Sequence, residues 1–212
     1  MTTGASVQLQ YYKGLARAAA HMGTAHTQYR GGPSDPLASA NALGTLNASF
    51  NIAGKYSGQT KTEQPLWQVI ADATQLQIGD YLVGNATWCV VMMDQLLPPL
   101  AIRCPHLLTF TRPAVTTGVG ALGYAAEVAA TETSVAANVP AYLDVKTLRG
   151  SPPTKLPGDA ALRSFVEAFV YLPDGTLKDR DVATDENGRR YQVTVGNFSL
   201  TGYTLMLEVL EA

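Results

Sequence analysis

The segment that decides the fold reads Gln77-Ile-Gly-Asp-Tyr-Leu-Val-Gly-Asn-Ala-Thr-Trp-Cys-Val-Val-Met-Met-Asp-Gln-Leu-Leu-Pro-Pro-Leu-Ala-Ile-Arg-Cys104. At its centre, Thr87 to Met93 is an apolar run rich in β-branched and aromatic residues, which predicts a strand rather than a helix. Turn-forming residues flank the run on both sides, Gly84-Asn85 before it and Pro98-Pro99 after it. Because both faces of the run are apolar, we predict a strand that is covered on both sides, as in a barrel or a sandwich.

The residues around this strand predict a β-module with the strand at its middle. Asp80 to Val83 leads in, and the chain returns from Leu100 to Cys104 after the two prolines. If the central and returning strands pair antiparallel, Cys89 and Cys104 fall roughly opposite each other. The absence of a secretion signal then favours reduced thiols over a disulfide.

A weaker echo of this segment occurs near the C-terminus, from Arg180 to Val195. In that echo Asp181 takes the place of Asp80, Asn187-Gly188 that of Asn85, and Tyr191-Gln192-Val193 that of Trp88-Cys89-Val90. Two related β-modules would produce such a repeat. A coincidence within a strand-rich composition is an equally good explanation at this point.

Composition narrows the possible functions. Of the 212 residues only 15% are charged, against about a quarter in typical globular proteins. A surface so poor in charge either presents uncharged polar groups or is hidden against partners, and the second possibility points to assembly. The net charge of −2 argues against nucleic acid as a primary ligand, and the sequence predicts no membrane helix and no signal peptide.

The N-terminal part of the chain is predicted to form a helix and then an extended arm. Residues from Ser6 to Met22 carry two adjacent apolar stripes at helical spacing, with Gly23 at the helix end. Such a helix packs on its own sheet or on a neighbouring subunit. From Gly23 to Thr62 the chain is rich in Gly, Ser, Thr, Asn and Pro, which predicts a long extended arm lying on a surface.

The complete pattern predicts a mainly β protein with an N-terminal α-helix, two β-barrel- or sandwich-like modules and the long extended arm. Alternating apolar residues predict further strands at 64–71, 107–112, 124–130, 134–143, 162–171, 190–195 and 203–209. We assign residues 1–62 to the helix and arm, and 63–113 to the first module. Residues 114–158 form an Ala/Thr/Pro-rich hairpin and linker, and 159–212 form the second module.

No residue pattern predicts catalysis, a metal site or a cofactor. His106 follows Cys104 by two residues without the geometry of a thiol–imidazole pair. The acidic cluster at 179–186 lacks the ligand spacing of a calcium loop, and turn formation explains it better. The Gly118-Val-Gly-Ala-Leu-Gly123 segment has the dinucleotide-binding spelling without the strand-to-helix context that such a motif requires.

Several segments resemble small virion proteins of tailed bacteriophages and prophages. They include Leu76-Gln-Ile-Gly-Asp-Tyr-Leu-Val-Gly84, Leu96-Leu-Pro-Pro-Leu-Ala-Ile-Arg-Cys104, Phe110-Thr-Arg-Pro113 and Thr201-Gly-Tyr-Thr-Leu205. The resemblance implies a structural subunit, not an enzyme, in a ring of the head–tail connector (neck) or proximal tail. Its expected partners are copies of itself, the portal, adaptor or other neck and tail proteins, and DNA passing through the bore without specific binding. Its expected location is the virion, assembled in the host cytoplasm.

The candidate subunit interface combines the helix with the arm. Its members are Leu9, Tyr11, Tyr12, Lys13, Leu15, Arg17, Tyr29, Arg30, Phe50 and Tyr56. Two other hypotheses remain open. A carbohydrate- or receptor-binding β-domain of a tail appendage requires an aromatic groove, and a particle-associated hydrolase requires acids or a thiol that converge in one pocket.

Overall fold

A computed structural model describes residues 3–52, 66–113, 132–144 and 165–210. Within these ranges, one α-helix, α1 (Thr3–Met22), precedes twelve strands, and a short 3-10 turn lies at Ser39–Asn41. The strands are β1 (Thr24–Arg30), β2 (Ala42–Ile52), β3 (Leu66–Ile70), β4 (Asp80–Val83), β5 (Thr87–Met92), β6 (Leu100–Arg103), β7 (His106–Arg112), β8 (Thr133–Asp144), β9 (Phe165–Val170), β10 (Val182–Asp185), β11 (Arg190–Ser199) and β12 (Gly202–Val209).

The strands form two closed antiparallel barrels. Barrel 1 contains β1 to β6 in the spatial order β1-β2-β3-β6-β5-β4, and barrel 2 contains β7 to β12 in the order β7-β8-β9-β12-β11-β10. Each barrel therefore consists of two three-stranded meanders joined edge to edge. Because closure leaves no open sheet edge, neither barrel needs a partner to satisfy the backbone of its strands.

The two barrels have the same topology and largely the same strand register, except that the β7–β8 pair carries one more register shift than β1–β2. In barrel 1, Leu82 pairs with Trp88; in barrel 2, Ala183 pairs with Tyr191. The fifth strand carries a bulge at the same place in both barrels, at Val91 and at Thr194. The predicted correspondence of Asp80-to-Val90 with Asp181-to-Val193 is therefore confirmed, and the two-module interpretation is the correct one.

A buried carboxylate holds the two meanders of barrel 1 together. Asp80 lies opposite Arg30 at the seam between β4 and β1, and its side chain is only 1% exposed. The Arg30 guanidinium donates to both carboxylate oxygens at 2.9 and 3.0 Å. Gln28 Nε2 and the Gln77 backbone N–H donate to the same carboxylate at 2.7 and 2.8 Å. Arg30 also donates to the Gln75 carbonyl, so this latch fixes the connection that crosses from one meander to the other.

Barrel 2 repeats the latch. The Arg112 guanidinium donates to both oxygens of Asp181 at 2.8 Å. The Lys178 backbone N–H donates to Asp181, and Arg112 donates to the Thr176 carbonyl. The residue before each aspartate has a left-handed backbone, Gly79 at φ 90° and Arg180 at φ 72°. The same turn is thus built twice, once with glycine and once without it.

The outer face of barrel 1 packs against barrel 2. Alternation along β5 sends Trp88 and Val90 into the core of barrel 1, while Cys89 and Val91 contact the other barrel. This confirms that β5 is covered on both sides. An apolar cluster lies between the barrels and is called the inter-barrel cluster. On the side of barrel 1 it contains Tyr81, Cys89, Val91, Leu100, Ile102 and the adjoining Cys104, and on the side of barrel 2 it contains Tyr142, Phe169 and Tyr171. The Tyr81 hydroxyl donates to the Tyr171 carbonyl at 2.8 Å across the junction.

The structure does not confirm the long extended arm. Its range contains β1 and β2, which pair with each other and close barrel 1; residues 53–65 are not described. The prediction failed because β1 directs the polar side chains of His26 and Gln28 inward, where both are 4% exposed. An inward-facing polar residue breaks the alternation that identifies a strand. The barrels accordingly span Thr24–Arg103 and His106–Val209, whereas the sequence pattern predicts modules at 63–113 and 159–212.

The predicted helix exists and begins three residues earlier than expected, at Thr3. It packs against β2 and β3 of barrel 1, with Ala19 fully covered. Leu96 in the β5–β6 connection donates its N–H to Gln8 at 2.7 Å. The helix therefore does pack on its own barrel, but Val7, Leu9 and Met22 stay 37–57% exposed.

The other predicted strands that the structure describes are present. They correspond to β3, β7, β8, β9, β11 and β12. The predicted strand at 124–130 and the Gly118 motif lie in a range that the structure does not describe.

Removal of either latch carboxylate should destabilise its barrel. For Asp80→Ala we expect a loss of roughly 2–4 kcal/mol in the free energy of unfolding, because Arg30, Gln28 and the Gln77 N–H lose their common acceptor. Asp181→Ala should cost a similar amount, since the geometry is repeated. Chemical denaturation measures both. Glu186→Ala, which breaks a half-exposed pair with His106, is the control and should cost less than about 1 kcal/mol; equal losses in all three variants would refute the latch.

Gly79 should be required for the contact between the barrels. A Cβ atom at this position would lie 2.0 Å from Cε1 of Tyr171, whereas a Cβ at Gly175, which has a similar φ of 75°, meets nothing within 4 Å. Gly175→Ala therefore reports the left-handed strain alone, about 1–2 kcal/mol. We expect Gly79→Ala to lower the thermal midpoint further, because the Tyr171 ring must leave the inter-barrel cluster. Equal shifts for the two variants would contradict this role.

Candidate functional site

Both thiols, His106 and three of the acids, Asp181, Asp185 and Glu186, are buried or engaged in contacts within the barrels. Cys104 lies opposite Thr87 rather than Cys89, since its N–H donates to the Thr87 carbonyl. Cys89 pairs with Ile102 instead. Both cysteines are free and buried between the barrels. Burial raises the pKa of the Cys104 thiol to about 12 and the pKa of Cys89 well above its usual value.

His106 and the acidic cluster stabilise barrel 2. The His106 Nδ1 atom lies 2.8 Å from the Glu186 carboxylate, and the hydrogen bond between them lowers the pKa of Glu186. Asp185 accepts the backbone N–H groups of Asn187 and Arg189, which is ordinary turn chemistry, as predicted. Within 3–52, 66–113, 132–144 and 165–210, no three His, Cys, Asp or Glu side chains are placed to hold a metal ion.

The cysteine environment predicts inert thiols in the folded protein. At pH 8 we expect neither cysteine to react with an aromatic disulfide reagent within hours, because both thiols are buried and protonated. Both should react within minutes in denaturant, as absorbance at the leaving-group band would show. Met22→Cys, on an exposed position, provides the reactive control. Rapid reaction of a native cysteine would contradict this prediction and favour the thiol-hydrolase hypothesis.

The residues predicted for a subunit interface separate into two groups. Leu9, Lys13 and Arg17 are exposed on α1, and Tyr11, Tyr12 and Leu15 are half-buried on the same helix. The second group has partners within the chain. Tyr29 packs on the inter-barrel cluster, Arg30 forms the latch, and Phe50 stacks on Trp88 with ring centroids 4.1 Å apart. Tyr56 belongs to a range that the structure does not describe.

The predicted strands at 190–195 and 203–209 are β11 and β12, but sequence reasoning missed the exposed apolar side chains of the hairpin that they form. These strands are longer than their counterparts β5 and β6, and Leu200 and Thr201 form the tip that connects them. The hairpin exposes Val195 by 46%, Phe198 by 41%, Leu200 by 87% and Met206 by 44%. The clue in the sequence was the absence of any charged residue between Arg190 and Glu208.

A pocket of about 250 Å³ opens at the end of barrel 1 beside the end of α1. Its walls include the stacked rings of Phe50 and Trp88, and His26 meets Phe50 edge-on at 5.3 Å. The His26 Nδ1–H donates to the Thr24 carbonyl at 2.8 Å. The remaining lining residues are uncharged: Met22, Thr24, Ala48, Ser49, Asn85 and Ala86.

Comparison of the chain with protein-family models, with curated proteins and with solved structures finds no match. Among the described residues, no helix has the length and apolarity needed to cross a membrane. Three surfaces of the molecule stand out by their physical character. They are the exposed side of α1, the β11–β12 hairpin and the aromatic pocket of barrel 1.

Proposed function

We propose that the chain is a structural subunit of a tailed-phage particle, assembled with copies of itself into a ring of the head–tail connector or proximal tail. The observation that carries the proposal is the distribution of exposed apolar side chains. Among the residues that the structure describes, seven of the thirteen exposed large apolar side chains lie on α1 and on the β11–β12 hairpin, although the cores of both barrels are well filled. Clusters of exposed apolar residues are typical of protein–protein contact surfaces.

The two-barrel body suits this role mechanically. Each barrel has a core of its own, and the apolar cluster between the barrels joins them into one unit. A rigid subunit that repeats around an axis gains stability from many modest contacts, and closed rings follow from head-to-tail interfaces. The net charge of −2 is compatible with a bore through which DNA passes without binding.

The resemblance to virion proteins supplies the placement in the particle. Expected neighbours in this proposal are the portal, adaptor or other neck and tail proteins. The test is to purify particles that carry the gene, to identify the chain by mass spectrometry, and to locate it by cryo-electron microscopy. Absence of the chain from intact, infectious particles would refute the proposal.

Leu9 provides a variant test of the same proposal. We expect Leu9→Glu to lower incorporation into particles by about tenfold, which corresponds to the loss of about 1.4 kcal/mol of contact free energy. Quantitative mass spectrometry of purified particles measures the number of copies. The control is Leu107→Glu on β7. Leu107 is 40% exposed and Leu9 is 37% exposed, but Leu107 lies neither on α1 nor on the β11–β12 hairpin. Unchanged incorporation of Leu9→Glu would exclude α1 from the interface.

A further inference from the structure

The tip of the β11–β12 hairpin is built to present Leu200. The Ser199 Oγ donates to the Gly202 carbonyl and accepts the Thr201 N–H, so the turn is fixed by side-chain contacts. Gly202 has a φ of 119°, and a Cβ at this position would lie 2.8 Å from the Val170 carbonyl oxygen. The turn is therefore closed around a position where only glycine fits. Within it Leu200 is 87% exposed, the highest value among the large apolar side chains that the structure describes.

The counterpart of this hairpin in barrel 1 does not end free. The β5–β6 connection carries Leu96 and Leu97, each 50% exposed, and its Leu96 N–H is bound by Gln8 of α1. The molecule thus already contains one contact between such a hairpin connection and the N-terminal helix. At the tip of barrel 2, no element described in the structure covers Leu200.

The aromatic pocket of barrel 1 can receive a leucine side chain, and like the tip it carries no charged residue. A cavity of roughly 150 Å³ accommodates benzene, and this pocket, which opens to solvent, has a volume of about 250 Å³. Neither surface carries a charged side chain: the hairpin has none between Arg190 and Glu208, and the pocket is lined by apolar, aromatic and neutral polar residues. Met22, which is 57% exposed, stands at the pocket beside the open end of α1.

The pocket of barrel 1 and the tip of barrel 2 lie at opposite ends of their respective barrels. The pocket includes Asn85 and Ala86 of the turn before β5, whereas the tip follows the far end of β11, the counterpart of β5. A contact between tip and pocket consequently uses two different surfaces of the chain. Such a head-to-tail contact leaves a free tip and a free pocket at the two ends, and it closes into a ring or extends into a filament.

We propose that Leu200 of one copy inserts into the pocket beside Met22 of the next copy. This inference rests on the proposed self-assembly and specifies the contact that produces it. The Phe50 and Trp88 rings form the wall against which the leucine packs, and Met22 covers the leucine from the side of α1.

Mixed cysteine variants test the contact directly. Leu200→Cys and Met22→Cys are prepared as separate full-length proteins, and their native thiols do not interfere because Cys89 and Cys104 are buried. Under mild oxidation we expect a disulfide-linked dimer in the mixture of the two variants and at most a small fraction in either variant alone. Cross-linking of Leu200→Cys with itself would indicate a two-fold contact and overturn the proposal. So would a mixture that associates, by analytical ultracentrifugation, without the mixed dimer.

A charge substitution provides the second measurement. Leu200→Asp should weaken self-association at least tenfold while the thermal midpoint stays unchanged, because Leu200 has almost no contacts within its own chain. The matched control is Leu97→Asp in the equivalent connection of barrel 1, which should associate like the unmodified chain. Equal association of Leu200→Asp and Leu97→Asp overturns the tip contact. If both variants enter particles at normal levels, the tip–pocket contact is refuted while the proposed virion role stands. Failure of this contact can therefore be told apart from failure of the proposed function.

Discussion

A carboxylate buried at the seam of each barrel is the contact on which the architecture depends. In each barrel an aspartate at the start of the second meander meets an arginine at the end of the first strand, Asp80 with Arg30 and Asp181 with Arg112. A carboxylate removed from water needs several hydrogen-bond donors. Each aspartate accepts a bidentate pair of hydrogen bonds from the guanidinium and one from a backbone N–H. Because the arginine also binds a carbonyl of the crossing connection, barrel closure and the path of that connection are determined together.

The equivalent faces of the two barrels differ in polarity, and the difference follows their surroundings. Cys89 and Ile102 of barrel 1 correspond by register to Gln192 and Glu208 of barrel 2. The first pair is buried against barrel 2, whereas the second pair is partly exposed. This polar substitution marks the outer face of barrel 2 as a surface in water. Most of the exposed large apolar side chains of barrel 2 lie instead on the β11–β12 hairpin. A contact with another molecule is therefore expected at the hairpin and not on the polar outer face.

Local patterns in the sequence predicted the strands well and the long-range contacts poorly. Apolar residues identified β5 and its neighbours, and the aspartate-strand-turn-aromatic echo suggested two related modules, which coincidence explained equally well until the structure showed two barrels. Alternation failed at β1, since His26 and Gln28 face inward and look like loop residues in a sequence. The Arg30–Asp80 latch joins residues fifty positions apart, and no local pattern couples them. Likewise the aromatic pocket joins Met22, Phe50 and Trp88, which only barrel closure brings together.

The inter-barrel cluster also has a consequence for synthesis of the chain on the ribosome. All six strands of barrel 1 precede those of barrel 2, so the first barrel can close while the second is still being translated. During that interval Tyr81, Cys89 and Ile102 remain uncovered, because Tyr142 and Phe169 arrive later. Uncovered apolar surface on a nascent intermediate promotes aggregation. The rate of translation through barrel 2 therefore determines how long this apolar surface of barrel 1 stays uncovered in each new molecule.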